Sequence, residues 1–290
     1  MKAPPFNYYD PRNIDDVVGL LGQHENAKLL AGGQSLMPML NMRFVLPDHV
    51  IDLNRVDGMT GVKETGAGIE IGAMTRQRAL QRDATIQARL PVLVEALGHV
   101  GHVQTRARGT IGGSLCHLDP SAEQACIAAL YDARMHVVGP NGRRDIAMAD
   151  WGLGFMMPAI EPDEALASIT LPVWSQPHGY GFAEFARRHG DFAICMAAAL
   201  LAVDGGGKIT QAAICLGGVD VKPVRLADAE AALVGQPADE KVFADAAALA
   251  TKIDCLSDAM ISAAYRQRLA GVMTKRALAS AAARARGGQA

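Results

Sequence analysis

Two segments with the same order of residue types most constrain how this chain can fold. They are 31–36 (Ala-Gly-Gly-Gln-Ser-Leu) and 110–115 (Thr-Ile-Gly-Gly-Ser-Leu). Paired glycines allow turns with positive φ and let a ligand approach the backbone closely. Successive N–H groups in such turns can bind an anion, and Ser35, Thr110 and Ser114 add hydroxyl groups. The pattern leaves two interpretations open: two ordinary turns, or two loops that hold a diphosphate from both sides.

The elements around these segments predict an α+β fold. Strands and helices are segregated, with a hairpin at 62–74, and lack the regular alternation of a doubly wound sheet. Neither a Rossmann Gly-x-Gly-x-x-Gly after the first strand nor a Walker A loop is present. We expect Thr75 to cap a helix, and Pro91 to start or break one. The patterns predict strands at 27–30, 49–56, 133–138 and 165–173, and helices at 13–24, 76–81, 84–100 and 121–131.

The pattern changes at 175–179, which predicts a domain boundary. Beyond it, apolar runs at 182–203 and 209–219 predict antiparallel strands, and alanine-rich helical patterns dominate from Leu226 onward. The second half therefore has the composition of a small sheet with a group of helices. We expect two domains, 1–177 and 178–290.

Composition excludes several classes of protein. A net charge of −2 with 5% aromatic residues gives neither the basic surface nor the stacking groups of a nucleic-acid binder. No apolar run reaches the roughly 18 residues of a membrane span, and the first residues lack the pattern of a secretory signal. We therefore expect no transmembrane segment and no nucleic-acid partner.

The cysteines and histidines do not predict a metal site. No Cys-x-x-Cys pair occurs, so neither a zinc site nor an iron–sulfur cluster is expected in this chain. Five widely spaced cysteines indicate reduced thiols in a cytoplasmic protein. His99 and His102 are close enough to share a helix face, but no carboxylate accompanies them.

A polar segment after the second glycine pair has two interpretations. Asp119 before Pro120 is typical of a helix N-cap followed by proline at the first helical position. Alternatively, Asp119 or Glu123 accepts hydrogen bonds from ribose or ribityl hydroxyl groups. His117 is a further candidate for ligand contact, although a lone histidine is more often structural.

A second polar segment, 187–193 (Arg-Arg-His-Gly-Asp-Phe-Ala), also has two interpretations. It forms either a hairpin corner in which Asp191 pairs with an arginine, or a corner from which Phe192 covers a flat ring system. The residue types alone do not decide between them.

Taken together, these motifs resemble the FAD-binding medium subunit of molybdenum hydroxylases, the family that includes carbon monoxide dehydrogenase and xanthine dehydrogenase. The likeness covers nearly the whole chain in order, and several motifs in register are far more specific than one. The motifs that carry it are 31–38, 71–75, 110–114, 119–120 and 188–193.

The resemblance implies a fold. Residues 1–177 would form a two-lobed FAD-binding domain of the vanillyl-alcohol-oxidase (PCMH) type, with lobes at about 1–56 and 57–177. Residues 178–290 would form a C-terminal domain of the carbon monoxide dehydrogenase flavoprotein type, with a small antiparallel sheet and helices.

The resemblance also implies a function. A large partner subunit with the molybdenum cofactor would hydroxylate the substrate, and a small partner with two [2Fe-2S] clusters would relay the electrons. FAD in this chain would pass them to NAD, quinone, oxygen or a carrier, within a dimer of heterotrimers. The chain would bind and tune the flavin, so no catalytic side chain is expected in it.

By similarity, the two glycine segments wrap the pyrophosphate and Val100 and Gly101 line the flavin. Phe192 would shield the isoalloxazine ring, and Leu166 would contact the flavin through its backbone. The expected cofactor-binding residues are Ala31, Gly32, Gly33, Gln34, Ser35, Leu36, Val100, Gly101, Thr105, Gly109, Thr110, Ile111, Gly113, Ser114, His117, Asp119, Glu123, Leu166 and Phe192.

This sequence departs from the family pattern at two places. Glu184 stands near a position where some members carry lysine. The effect of Glu184 on the tuning of the flavin is therefore left open. Ala107 stands where the family often has asparagine. The scattered cysteines also argue against the iron–sulfur insertion of members that reduce aromatic acyl-CoA compounds.

Two rival functions remain at this stage. A self-sufficient flavin-dependent reductase or oxidase would need a substrate pocket with a general acid or base, and would turn over without partners. A nucleotide-binding or assembly module without a redox role would carry no chromophore after purification.

Overall fold

The computed structural model describes residues 2–287, and it confirms an α+β chain. The helices are α1 Ile14–Gln23, α2 Leu36–Met42, α3 Gln77–Arg82, α4 Ala84–Arg89, α5 Pro91–His99, α6 Val103–Arg108, α7 Ile111–His117, α8 Glu123–Leu130, α9 Met148–Trp151, α10 Ala227–Leu233, α11 Glu240–Ala250 and α12 Ala263–Ala285. The strands are β1 Asn7–Tyr9, β2 Ala27–Leu30, β3 His49–Asp52, β4 Val62–Thr65, β5 Gly68–Gly72, β6 Arg134–Gly139, β7 Gly142–Ala147, β8 Gly152–Gly154, β9 Met157–Pro158, β10 Ala165–Leu171, β11 Gly179–Phe185, β12 Cys195–Val203, β13 Ile209–Gly217 and β14 Val224–Arg225.

The first sheet is parallel and presents the first glycine segment at one edge. Its strand order is β1-β3-β2, with His49 opposite both Asn7 and Ala27. The connection between β1 and β2 is α1, whose N-cap Asn13 accepts a hydrogen bond from the Asp16 N–H at 2.8 Å. Because the chain leaves β2 at Leu30, the glycine segment begins directly at the carboxyl end of a strand.

The second sheet is antiparallel and holds much of the core. Its order is β4-β5-β10-β6-β7, so β10 is the central strand although it comes last in sequence. Alternate residues of β5, Ile69 and Ile71, are fully buried, as the period of a half-buried strand requires. Helices α3 to α8 lie in the connection between β5 and β6, and they carry the second glycine segment.

The third sheet, β11-β12-β13-β14, packs against the long helix α12. Two glycines of β11 make this close packing possible. A Cβ atom at Gly179 would collide with the Ala281 carbonyl, and one at Gly181 with the Ala277 carbonyl. The strand can therefore approach the helix backbone only with glycine at both positions.

Contacts between α8 and the third sheet join the two halves of the chain. Arg225 donates to the Ala129 carbonyl at 3.0 Å, and forms ion pairs with Asp132 at 2.7 Å and Glu230 at 2.9 Å. The Cys126 thiol lies 3.4 Å from the Cys215 carbonyl oxygen. Ala129 and the two cysteines are buried and Arg225 is half-buried, so these contacts fix α8 against the sheet.

The predicted helix at 84–100 is two helices. Leu90 precedes Pro91 and adopts φ −134° and ψ 50°, outside the helical region, because the proline ring crowds the preceding residue. Pro91 then occupies the first position of α5. His99 ends α5 and His102 precedes α6, so the two histidines do not share a helix.

Three other local predictions are wrong. Thr75 does not cap a helix, since its hydroxyl group hydrogen-bonds the backbone of Gly61 at 2.9 and 3.2 Å. The strand predicted at 49–56 ends at Asp52 and continues as a 3-10 turn, Leu53–Arg55. The run at 182–203 is two strands, β11 and β12, separated by a corner. Within the described residues, no helix has the length and apolar character needed to cross a membrane.

Candidate functional site

The two glycine segments face each other across a cavity of about 750 Å³, here called the main cavity. Most of its wall residues lie within 27–39, 100–123, 156–166 and 190–192. A volume of this size lies within the range of about 300–1,000 Å³ that small-molecule and cofactor sites occupy. The structure thus brings together segments that are far apart in sequence.

The first glycine segment offers unpaired donors to the main cavity. Gly33 has φ +74°, in the left-handed region that favours glycine. In the part of the chain that the structure describes, the N–H groups of Gly33, Gln34 and Ser35 find no acceptor. Three consecutive free N–H groups at a glycine turn are the arrangement that binds phosphate oxygens.

The second segment differs from the loop that the sequence predicts. It is the start of α7, with Thr110 as N-cap. The N–H groups of Ile111 and Gly112 donate to the carbonyls of Thr75 at 3.2 Å and Ala73 at 2.8 Å, and Gly113 donates to the Thr110 hydroxyl at 3.0 Å. These three N–H groups are therefore already paired. Toward the cavity the segment presents glycines without side chains and the Ser114 hydroxyl, and not a row of free N–H groups.

Two side chains connect the glycine segments, and sequence reasoning missed both. Asn54 donates to the Ala31 carbonyl at 3.0 Å, and Arg76 donates to Asn54 and to the Arg108 carbonyl. Gly32 packs directly on the same Arg108 carbonyl, where a Cβ atom would collide. Asn54 and Arg76 therefore hold the two segments in register, although no motif marks them.

All but one of the expected cofactor-binding residues line the main cavity. The exception is Ile111, whose side chain is buried in the core because it lies on the inner side of α7. The structure adds wall residues that the sequence did not indicate. They include Lys28, Met39, Val45, Gln77, Cys116, Met156, Pro158, Ile160, Glu161, Pro162 and Glu164.

Asp119 lines the cavity but does not cap α8. Its carboxylate accepts from the Ser121 N–H at 2.8 Å and holds a short turn. The helix therefore begins at Glu123, with Ala122 as N-cap, two residues later than predicted. Burial raises the pKa of Glu123 to about 8, so its carboxyl group is neutral at pH 7. Burial lowers the pKa of His117, which is neutral there too.

The corner between β11 and β12 forms one end of the main cavity. Arg188 pairs with Asp191 at 3.2 Å, as the simpler interpretation of this segment expects. Phe192 lines the cavity and is 73% exposed, so its ring makes little contact with the rest of the chain. An exposed aromatic ring at a cavity wall is suited to stacking on a flat ligand.

The described residues hold no cluster of three or more histidine, cysteine or acidic residues that could bind a metal ion. All five cysteines are free thiols, and four of them are buried. The site therefore offers glycine turns, free N–H groups, hydroxyl groups and an aromatic ring. A cavity of this size with an anion-binding glycine turn fits the class of proteins that bind an extended, phosphate-bearing cofactor.

Comparison with known proteins is consistent with this class. Residues 4–174 match the family described as FAD binding domain in molybdopterin dehydrogenase, and residues 180–281 match the CO dehydrogenase flavoprotein C-terminal domain. The carbon monoxide dehydrogenase medium chain of Afipia carboxidovorans is 38% identical over 97% of this chain and 98% of its own. The nicotine 6-hydroxylase medium subunit of Paenarthrobacter nicotinovorans is 35% identical, over 98% and 100%.

A solved structure agrees with these matches. A chain of carbon monoxide dehydrogenase from Hydrogenophaga pseudoflava superposes with a TM-score of 0.94 and 37% identity, over 98% of this chain and 99% of that one. The chain therefore belongs to the family of FAD-binding medium subunits of molybdenum-containing dehydrogenases.

Proposed function

We propose that FAD binds in the main cavity, with its diphosphate at the free N–H groups of Gly33, Gln34 and Ser35. Those three unpaired donors are the observation that carries the proposal, because they line the main cavity and consecutive free N–H groups at a glycine turn bind anions. Asn54 and Arg76 hold the loop in place, and Ser114 adds a hydroxyl group on the opposite side. Phe192 covers the isoalloxazine ring.

The chain then serves as the exit for electrons from a larger complex. A large partner subunit carries the molybdenum cofactor and a small partner carries two [2Fe-2S] clusters. Electrons reach the flavin from the clusters and leave to an external acceptor: NAD, quinone, oxygen or a carrier. The flavin supplies the capacity to take up and release one or two electrons, and this chain supplies its binding, orientation and surroundings.

The assembly is a dimer of heterotrimers in the cytoplasm. The widely spaced free cysteines support the reducing compartment. We further propose that the chain divides into domains at 177/178, with lobes at 1–56 and 57–177. The division is supported by the absence of helix or strand between Leu171 and Gly179.

Reoxidation of the pre-reduced complex tests this route without knowledge of the substrate. The complex is reduced with a limited amount of dithionite and mixed rapidly with NAD, quinone or oxygen, and cluster absorbance is followed. We expect fast reoxidation by one acceptor in the wild-type complex and slow reoxidation in a flavin-free Gly33→Val complex. Equal rates in both would contradict the route. Steady turnover by the isolated chain with FAD would instead favour a self-sufficient flavin enzyme.

A further inference from the structure

One end of the main cavity is closed by two segments from different halves of the chain. Val100 and Gly101 follow α5, and residues 190–192 belong to the corner between β11 and β12. The two segments touch, since a Cβ atom added to Gly190 would lie 3.0 Å from the carbonyl oxygen of Gly101. The position of the corner therefore determines how far this end of the cavity is open.

The contacts inside the corner shape it without attaching it to α5. Arg188 pairs with Asp191 at 3.2 Å. At the base of the corner, the Ile194 N–H donates to the Phe185 carbonyl at 2.8 Å. Phe192, near the tip, is 73% exposed and so contributes little packing. A contact with the α5 side is therefore needed to fix the corner at the cavity.

A histidine at the end of α5 provides such a contact. Nδ1 of His99 lies 3.5 Å from Oε1 of Glu184 on β11, and the Glu184 side chain is only 3% exposed. The centroid of the His99 ring is 5.2 Å from that of Phe182, also on β11. It is 6.2 Å from the ring centroid of His189, which belongs to the corner. His99 therefore contacts both the strand that enters the corner and the corner itself.

The segment after His99 is held in place from its other side. Arg106 of α6 donates to the carbonyl oxygens of Val100 at 2.8 Å and Gly101 at 3.2 Å. The same guanidinium donates to Oε1 of Gln81 on α3 at 3.0 Å. Because α3 and α6 fix this segment, His99 can hold the corner against a firm base.

Stability alone does not account for this buried pair. Taking a carboxylate out of water costs free energy, which an ion pair recovers only when the remaining lone pairs are also satisfied. Oε2 of Glu184 is buried and has no hydrogen-bond partner in the described part of the chain. His99 and Glu184 both lie outside the lining of the main cavity, so neither is placed to touch a ligand there. Holding neighbouring groups in one geometry is the role that remains.

We propose that His99 and Glu184 are positioning residues that hold the corner between β11 and β12, and with it Phe192, over the isoalloxazine ring of the bound flavin. The inference rests on the proposed placement of FAD in the main cavity. It also gives Glu184 a defined effect on the flavin, exerted through His99 and the corner and not by contact with the ring. Without the pair, the corner can move away from Gly101, and FAD leaves the cavity faster.

The rate of FAD release from the assembled complex tests this role. The chain is co-expressed with the products of neighbouring genes, the complex is diluted, and the fluorescence of released FAD is followed. Glu184→Met keeps the length of the side chain but forms no ion pair, so release should be about 3- to 30-fold faster. The visible circular dichroism of the bound flavin should also change. Glu184→Gln can still form a hydrogen bond with His99, and it should release FAD at nearly the wild-type rate.

Glu95→Met provides the matched control. Glu95 lies one turn earlier on α5 and pairs with Arg284 of α12 at 2.8 Å, so it also joins α5 to the C-terminal half of the chain. It lies outside the lining of the main cavity. Glu95→Met should therefore lower the melting temperature and leave FAD release and the circular dichroism of the flavin unchanged.

The double variant His99→Leu/Glu184→Met separates positioning from stability. Replacing both members of a buried ion pair by apolar residues often leaves stability unchanged, so the melting temperature should stay near that of the wild type while release remains fast. This variant also serves if Glu184→Met alone fails to assemble. Wild-type release and circular dichroism in the double variant, or equally fast release from Glu95→Met, would overturn the inference. A wild-type complex that contains no FAD would instead overturn the proposed function.

Discussion

Replacing Gly33 by alanine should weaken FAD binding through backbone strain. Gly33 has φ +74°, and an added Cβ atom would lie 3.3 Å from Cγ of Met37 and 3.4 Å from Cδ1 of Leu30. The Met37 and Leu30 side chains can shift to relieve these tight contacts. The main energetic cost of the alanine is therefore the strain of the left-handed backbone, about 1–2 kcal/mol. If the loop relieves this strain by rotating its free N–H groups away from the cavity, the affinity for FAD falls about 5- to 30-fold. Gly33→Val should abolish FAD retention, since a β-branched residue tolerates this conformation worst.

Gly58 provides the matched control for this prediction. It has φ +77° and open space around its Cβ position, and it lies outside the main cavity. Gly58→Ala should therefore lower the melting temperature without changing the FAD dissociation constant. Gly33→Asn should keep most of the affinity, because asparagine tolerates left-handed backbone. Quenching of flavin fluorescence gives the constants, and Gly33→Ala with wild-type affinity would refute the reasoning.

Three further changes test other parts of the structure. Asn54→Ala should lower FAD affinity about 3- to 10-fold by removing the hydrogen bond to the Ala31 carbonyl, and titration with FAD showing no loss would contradict the connecting role. Phe192→Ala should leave the melting temperature unchanged and alter the visible circular dichroism of bound flavin; an unchanged spectrum would place the ring elsewhere. Trp151→Phe should destabilise the chain by about 1–3 kcal/mol in urea unfolding, because the Leu115 carbonyl loses its donor, and equal stability would show that another group replaces it.

The parts of the fold predicted correctly from sequence are those with local causes. The β4–β5 hairpin follows from apolar runs around a glycine turn, and β13 follows from the apolar run at 209–219. The sequence did not predict the helix boundaries at Leu90 and Glu123, because at each place two local preferences compete for the same residue. Proline excludes helical backbone before it, and the Asp119 side chain is used in a turn instead of a cap.

The part of the candidate site that the sequence predicted also has a local cause. Glycine segments are visible in sequence because they need a special backbone, and the family pattern adds residues such as Leu166 that no local signal marks. The connecting pair Asn54 and Arg76 and the wall at 156–164 carry no motif, since only tertiary packing brings them to the cavity. The sequence also could not predict that the N–H groups of Ile111 and Gly112 are paired, because their acceptors are the carbonyls of Thr75 and Ala73, which are distant in sequence.

The central claim, that this chain holds FAD between its two glycine segments, is tested most directly by the absorption spectrum of the purified protein. The spectrum is recorded for the chain alone and after co-expression with the products of neighbouring genes. We predict twin flavin bands that bleach with dithionite, with added iron–sulfur absorbance in the co-purified material. A colourless chain that takes up no added FAD would contradict the claim and leave both segments as ordinary turns.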